Sequence, residues 1–294
     1  MYMKTFGRGN GSSATSAIAY RAGERIRDQR TGKVFDHSDR QDVMHKEIVL
    51  PEKWVDADMS WARERANLWN EAEAAETRRN ARVAREFLVA LPAELSPARQ
   101  VELTRGFSRE LVDRHGFAVD FAIHAPRTDP RNFHAHLLAT TREINSTGFG
   151  EKTDLEISDG ARQGRGLDPF FKEVIYTRER WAMLTNTALE QAKLAVRVDH
   201  RSLEVQGIGR EPQPMLPRAV YEMERRGQYT QLGDRIREEH RARAAARAER
   251  VVPESLEEIR RQAREEWLRL RQGAKAAAEA NPAPERFFDD DLSR

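Results

Sequence analysis

Ala122-Ile-His-Ala-Pro-Arg-Thr-Asp-Pro-Arg-Asn-Phe-His-Ala-His-Leu-Leu-Ala-Thr-Thr141 carries three of the chain's eight histidines, His124, His134 and His136. The stretch reads as two strands joined by a loop. Residues two apart on a strand share a face, so His134 and His136 point the same way. Pro126, Pro130 and Asn132, within the nine residues between His124 and His134, make a turn-rich connection that returns the second strand antiparallel to the first. Phe117, Val119, Phe121 and Ile123 alternate with Ala118, Asp120, Ala122 and His124, so one face is bulky and apolar and the other small and polar. His124 thus turns away from the core, onto an open face with the other two imidazoles. Three His nitrogens suit a divalent ion that keeps positions free for substrate oxygens. Separate, solvated histidines are the ordinary reading of a lone His, but His-x-His opposed by a third His favours a metal site.

Working back toward the N-terminus, Ser96 and Pro97 open a helix that runs to about His115 and stops at Gly116, with Ser96 as N-cap. Glu86-Phe-Leu-Val-Ala-Leu-Pro92 reads as a strand with Phe87, Val89 and Leu91 on one face and Glu86, Leu88 and Ala90 on the other, which lets Glu86 join the histidine face. From Val55 to about Ala84 a helix is expected on the domain's flank, with Trp54, Trp61, Leu68 and Trp69 as its apolar stripe. Met44 to Pro51 is a short strand and Arg30 to Lys33 a turn; His37 and His45 are expected to be solvated. Tyr2 to Phe6 form a first strand, and Gly7-Arg-Gly-Asn-Gly11 turns the chain. No Gly-Lys-Ser/Thr follows these glycines, so a phosphate-binding loop is rejected. Ser12 or Ser13 caps a helix to Gly23 that packs through Ala14, Ala17 and Ile18. At 100° per residue Tyr20 stands about 200° around from Ile18. Its hydroxyl, with Arg21 beside it, is available for chemistry or phosphate contact.

After Thr141, Arg142 to Asp168 reads as loop and turn, and Thr177 to Ala195 as a helix. Asp199-His-Arg-Ser-Leu-Glu-Val-Gln-Gly207 follows, with His200 assigned to capping or hydrogen bonding, and the compact part ends near Gly227. Beyond Gln231 the composition shifts to Arg, Glu and Ala, an exposed helix interrupted at Pro253. Asn281 to Arg294 has a disordered composition. The expected organisation is a domain over residues 1–230, a charged helical extension over 231–280 and a disordered tail over 281–294.

The chain has 294 residues, 39% hydrophobic and 33% charged, enough for a large core plus exposed helix. It has no cysteine, which excludes disulfides and thiolate metal sites and leaves His and carboxylate as ligands. No run is long and apolar enough for a membrane span or a signal peptide, so the expectation is a cytoplasmic protein without membrane insertion. A net charge of +2 with a pI near 8.9 permits an anionic partner without demanding one.

Lys4-Thr-Phe-Gly-Arg8, Ala17-Ile-Ala-Tyr-Arg21, Ala84-Arg-Glu-Phe-Leu-Val-Ala-Leu-Pro92, the three histidines, Gly148-Phe-Gly-Glu-Lys152 and Asp199 to Gly207 together resemble the MobA/MobL type of plasmid mobilisation relaxases, over about residues 3–227. These belong to the His-hydrophobic-His endonucleases, here with Ala135 in the middle. The resemblance implies an α+β fold: an antiparallel sheet of about five strands, helices on one face, and metal and single-stranded DNA on the other. It makes Tyr20 the nucleophile, His124, His134 and His136 the ligands of a divalent ion, Mg²⁺ or Mn²⁺, and Glu86 an acidic group that orients a histidine or takes a proton. The implied reaction is cleavage of one strand at a plasmid origin of transfer, with a 5′-phosphotyrosine and a free 3′-hydroxyl. The implied partners are that DNA, accessory relaxosome proteins and a coupling protein with its type IV secretion system, and the implied itinerary includes transfer to a recipient cell with the DNA. A rolling-circle initiator or single-strand transposase would use the same groups; a DNA-binding accessory protein would use the histidines for a structural metal only.

Overall fold

The computed structural model describes residues 1–126, 129–250 and, further on, 261, 264, 265, 267–269 and 272. It divides into two compact units, Met1–His200 and Arg201–Arg294.

The first unit is built on a five-stranded antiparallel sheet. Its strands are β1 (Tyr2–Gly7), β4 (Val43–Val49), β5 (Arg82–Ala90), β6 (Val119–His124) and β7 (His134–Ala139), in the order β1-β5-β7-β6-β4. Two short hairpins accompany it, β2 (Arg25–Arg27) with β3 (Val34–Asp36) and β8 (Arg142–Asn145) with β9 (Gly148–Lys152). The helices are α1 (Ala14–Ala22), α2 (Ser60–Arg63), α3 (Arg65–Ala74), α4 (Pro97–His115), α5 (Asp159–Gly164) and α6 (Phe170–Gln191). The second unit contains α7 (Arg218–Arg225) and α8 (Gln231–Arg250). Glu224 of α7 takes hydrogen bonds from Arg237 of α8 at 2.9 and 3.0 Å.

Side-chain alternation divides the sheet between two cores. Phe87 and Val89, Val119, Phe121 and Ile123, and Ala135 and Leu137 face α4 and α6, where Leu103, Phe107, Leu111, Trp181 and Leu189 complete the larger core. The face that bears α4 and α6 is thus the one that the bulky side of the 117–124 alternation selects, while α1 and α3 cover part of the other, so the helices are not confined to one face as expected. The opposite face carries the histidines and, over Ala84, Ala118 and Leu138, a second and smaller layer. That layer is α1, through Ala14, Ala17 and Ile18, and α3, through Leu68 and Trp69. Alanines along α1 let its backbone lie close to the strands. Ser13 caps α1 by accepting from the Ser16 amide at 3.1 Å, and Gly23 ends it with φ near 60°.

A fully buried polar position in this smaller core is Asp120 of β6. Its carboxylate accepts from Arg65 Nε at 2.7 Å and Nη2 at 3.0 Å and from Trp69 Nε1 at 3.0 Å, tying α3 to the sheet. Burial pushes the Asp120 carboxyl up, against the pull of Arg65.

Several boundaries differ from the sequence expectation. The helix expected from Val55 to Ala84 is two helices ending at Ala74, because Glu64 takes an extended conformation and caps α3 by accepting from the Ala66 and Asn67 amides. Residues 82–84 already belong to β5. The stretch read as loop from Arg142 contains the β8–β9 hairpin, whose turn is held by the Asn145 carboxamide accepting from the Thr147 amide at 2.8 Å. Its strands are too short to reveal an alternation. Helix α6 starts at Phe170, directly after Pro169, and Lys193, with φ of 60°, lies just past its end. The expected tail over 281–294, most of the 251–280 stretch and the Pro253 interruption lie outside the described residues.

Removing Asp120 leaves the Arg65 guanidinium without its buried partner. Asp120→Ala should lower unfolding stability by about 3–5 kcal/mol, against about 1 kcal/mol for loss of the α4 cap in Ser96→Ala. Urea titration checks this through the midpoint at constant slope. Equal effects of the two substitutions would contradict the role given to Asp120.

Candidate functional site

The β6–β7 register pairs His124 with His134 and places His136 opposite Ala122, so the three rings stand together on the α1 side of the sheet. Their centroids are 4.7 Å apart for His124 and His136, 5.2 Å for His134 and His136, and 5.4 Å for His124 and His134. One ring nitrogen from each lies within 4.8 Å of those from the other two. His134 and His136 are half-buried, but His124 is only 2% exposed, contrary to the open position expected for it, because the end of α1 and the Arg40 loop cover it.

Each imidazole has one nitrogen that donates to a carbonyl or carboxylate oxygen. His124 Nε2–H donates to the Arg21 carbonyl at 2.7 Å, His134 Nδ1–H to the Asn132 carbonyl at 2.8 Å, and His136 Nδ1–H to Glu86 Oε1 at 2.6 Å. Carbonyl and carboxylate oxygens only accept, so these bonds set the tautomers. The second nitrogens are His124 Nδ1, which accepts from Arg40 Nη2 at 3.4 Å, His134 Nε2 and His136 Nε2. Burial pushes His124 down to about 4, against the opposing pull of the Arg21 carbonyl, and burial also lowers His136 against the pull of Glu86. Both are therefore neutral at pH 7 and able to ligate. The donor set fits a divalent ion, with the outer hydrogen bonds that metal-binding histidines ordinarily make.

Glu86, from the buried interior of β5, is the hub. Besides His136, its carboxylate receives Arg21 Nε from α1, and Lys4 Nζ of β1 lies 2.9 Å from its second oxygen. Burial works against its charge, but the hydrogen bonds from His136 and Arg21 outweigh it and hold the carboxyl well below the usual carboxylate range. Arg21 also donates to the Ala17 carbonyl at 2.7 Å and lies 4.7 Å from the centroid of the Phe6 ring.

Tyr20 precedes Arg21 and is 44% exposed, on the side of α1 away from Ile18. Arg40 sits 4.0 Å over its ring, donates to the Tyr20 carbonyl at 3.0 Å, and brings Nη2 within 3.4 Å of His124 Nδ1. The His37 ring meets the Tyr20 ring edge-on at 5.3 Å. The structure thus gathers the three histidines and Glu86, and Arg21 and Arg40 link Tyr20's helix to them. Arg40 and the placement of His37 were not legible in the sequence, since both stand in an irregular stretch without a period to orient them. His45, expected in solvent, pairs with Glu47 at 3.0 Å. His200 is not in the histidine group; it lines a cavity beside Ala90.

Residues 12–226 match the model of the MobA/MobL family. The chain belongs to the MobA/MobL family. It is similar to mobilization protein MobL of Acidithiobacillus ferridurans, 36% identical over 246 residues, with 76% of this chain and 62% of that protein covered. It is also similar to the 43 kDa relaxation protein of Salmonella typhimurium, 33% identical over 224 residues, with 71% and 55% covered. The chain therefore spans less than two thirds of the length of either relative. Among solved structures it resembles one described as "Molecular Basis of Vancomycin Resistance Transfer in Staphylococcus aureus", with a TM-score of 0.56, 31% identity, and 68% of this chain and 97% of that chain covered. Among the described residues of this MobA/MobL chain, no helix is long and apolar enough to cross a membrane.

Because the Glu86 carboxyl is held below its ordinary value of 4.5, its contribution to stability is present above that value and is lost as pH falls through the folded-state value. Glu86→Gln should be less stable than the wild type by about 3–5 kcal/mol at pH 7, with the difference narrowing steadily below about pH 4. Chemical denaturation of both proteins across that range checks the sign; a difference that widens in acid would contradict it.

Proposed function

We propose that this chain is the cleaving part of a plasmid mobilisation relaxase: a metal-dependent, strand- and site-specific nickase acting on single-stranded DNA at an origin of transfer. The observation that carries the reading is the set of three imidazoles whose ring nitrogens lie within 4.8 Å of one another beside the helix that bears Tyr20, in a chain of the MobA/MobL family. In this reading Tyr20 Oη attacks the scissile phosphorus. An oxygen–phosphorus bond forms to the phenol, the bond to the 3′-oxygen breaks, the phenol gives up its proton and the 3′-oxygen takes one. The products are a 5′-phosphotyrosine and a free 3′-hydroxyl, and the reverse step religates the strand without an external energy source.

The unperturbed phenol pKa is about 10, so the nucleophile is weak at neutral pH unless the site assists it. A divalent ion on His124 Nδ1, His134 Nε2 and His136 Nε2 would supply Lewis-acid withdrawal of charge from the phosphate. An all-nitrogen donor set favours Mn²⁺ over Mg²⁺ as that ion. Glu86 orients His136 and, through Arg21, the end of α1. Its depressed pKa makes it a poor proton acceptor, which favours orienting over general-base work. Arg40, between Tyr20 and His124 and held by the Asp42 carboxylate at 2.9 and 2.6 Å, is placed to contact the phosphate. The proposed setting is cytoplasmic, with the origin DNA, relaxosome proteins, and a coupling protein and secretion system as partners. Residues 1–230 are proposed as the cleaving domain and 231–280 as an extension outside the chemistry.

Incubation of the wild type with Mn²⁺ and single-stranded oligonucleotides tiling the plasmid's transfer origin should give a denaturation-resistant protein–DNA band. Tyr20→Phe removes one exposed oxygen, so it should keep DNA binding and lose the band. A band of equal strength from Tyr20→Phe would rule out the assignment of the nucleophile.

His136→Ala removes one imidazole of three. Calorimetric titration with Mn²⁺ should show affinity reduced by at least tenfold against the wild type. Unchanged affinity would place the ion elsewhere.

A further inference from the structure

The sheet register extends the histidine face beyond the histidines to the β1 edge. Read across the strands, His136 of β7 pairs with Leu88 of β5, and Leu88 pairs with Tyr2 of β1. The contacts of β1 fix which way Tyr2 points. Lys4 reaches Glu86 at 2.9 Å and Phe6 packs on the smaller core with α1, whereas Met1 and Met3 pack on the larger core. Strand parity therefore puts Tyr2 on the histidine side with Lys4. Neighbouring strands are about 4.8 Å apart, so the Tyr2 backbone stands about 10 Å from that of His136. This part of the face is open. Leu88 is only half-buried although β5 has a strand on either side, and Tyr2 is 48% exposed. Arg40 meets the histidines from the opposite edge, because it leads into β4, which pairs with β6 at Val43 and His124. The histidines thus lie between Arg40 and Tyr2.

We propose that Tyr2 is a stacking platform for one base of the DNA strand, on a nucleotide flanking the phosphate at the histidines. The inference deepens the relaxase reading and rests on it. A phosphate at the three imidazoles leaves its neighbouring nucleotides to run over the same sheet face, since α4 and α6 fill the other. Toward β4 that face is closed by Arg40 and the end of α1, which bury His124. Toward β1 it offers an aliphatic floor, Leu88, ending in an exposed phenol ring. An unpaired base presents a π face that such a ring can cover, whatever the base is. Tyr2 therefore positions the strand and does not read its sequence. A single exposed apolar side chain ordinarily needs no explanation. This one shares a face and a register row with a proposed ligand, which is what singles it out.

The test is a scan of the cleaved oligonucleotide with single abasic sites, read as binding in Mn²⁺ to Tyr20→Phe protein, so that no strand is cut. Tyr2 is left intact, changed to Phe or changed to Ala. With Tyr2 intact, an abasic site at one position flanking the cleaved phosphate should weaken binding about tenfold, and exchange of that base for another should matter less than about threefold. Tyr2→Ala should bind the complete oligonucleotide about tenfold more weakly and lose the abasic penalty there, to below about twofold, with the penalties elsewhere unchanged. Tyr2→Phe keeps the ring and should reproduce the profile of the intact residue. A Tyr2→Ala profile that keeps the abasic penalty at every position would overturn the platform, whether or not binding weakens throughout. So would a Tyr2→Phe protein that behaves as Tyr2→Ala, because the hydroxyl would then be the acting group. Adduct on the complete oligonucleotide is scored in parallel with protein that retains Tyr20. If it forms while the Tyr2→Ala profile is unchanged, the platform alone is overturned; if it forms on no oligonucleotide, the cleavage reading is overturned and this proposal with it.

Discussion

The carboxylate of Glu86 is the interaction on which the site depends. It stands in the interior of β5 and receives Arg21 from α1 and His136 from β7, with Lys4 of β1 beside it. A buried carboxylate is costly to desolvate, and replacing such a network by apolar groups of equal volume is often neutral for stability. Its value here is therefore one of position. One charge sets the tautomer of a histidine, the seat of a helix and the spacing of three strands at once.

From that hub the geometry propagates through backbone as much as through side chains. Arg21, held by Glu86, offers its carbonyl to His124, so the same residue that seats α1 also fixes a second imidazole. Tyr20 is one residue away and inherits that placement while staying exposed. Small side chains on α1 make this possible, since bulkier ones at Ala17 or Ala19 would lift the helix from the sheet and separate the carbonyl from His124. The proposed nucleophile and the proposed ligands are thus coupled by covalent chain and hydrogen bonds, not by independent packing of two loops.

Much of this was legible in the residues. The period-two alternation of 117–124 and of 86–92 placed three histidines and Glu86 on one face, because a strand leaves a side chain only two directions. The cap at Ser96 and the stop at Gly116 marked α4 to the residue. What failed to show was whatever depends on irregular backbone or on what covers a face. The burial of His124 comes from α1 and Arg40, which arrive from distant sequence, so a polar strand face read as open is nearly closed at that point. The break at Glu64 was hidden because glutamate is a good helix former and its capping role appears only in the extended conformation it adopts. The β8–β9 strands are four and five residues long and carry no apolar alternation to reveal them.

The central claim is that one exposed tyrosine, on the helix tied to the histidine group, becomes covalently joined to DNA. Mass spectrometry of the protease-digested adduct tests it most directly. The account predicts that the nucleotide mass appears on the peptide containing Tyr20, joined through the phenolic oxygen. Attachment at Tyr2, Tyr176, Tyr221 or Tyr229, or a cleaved strand with a free 5′-phosphate and no peptide attached, would contradict it.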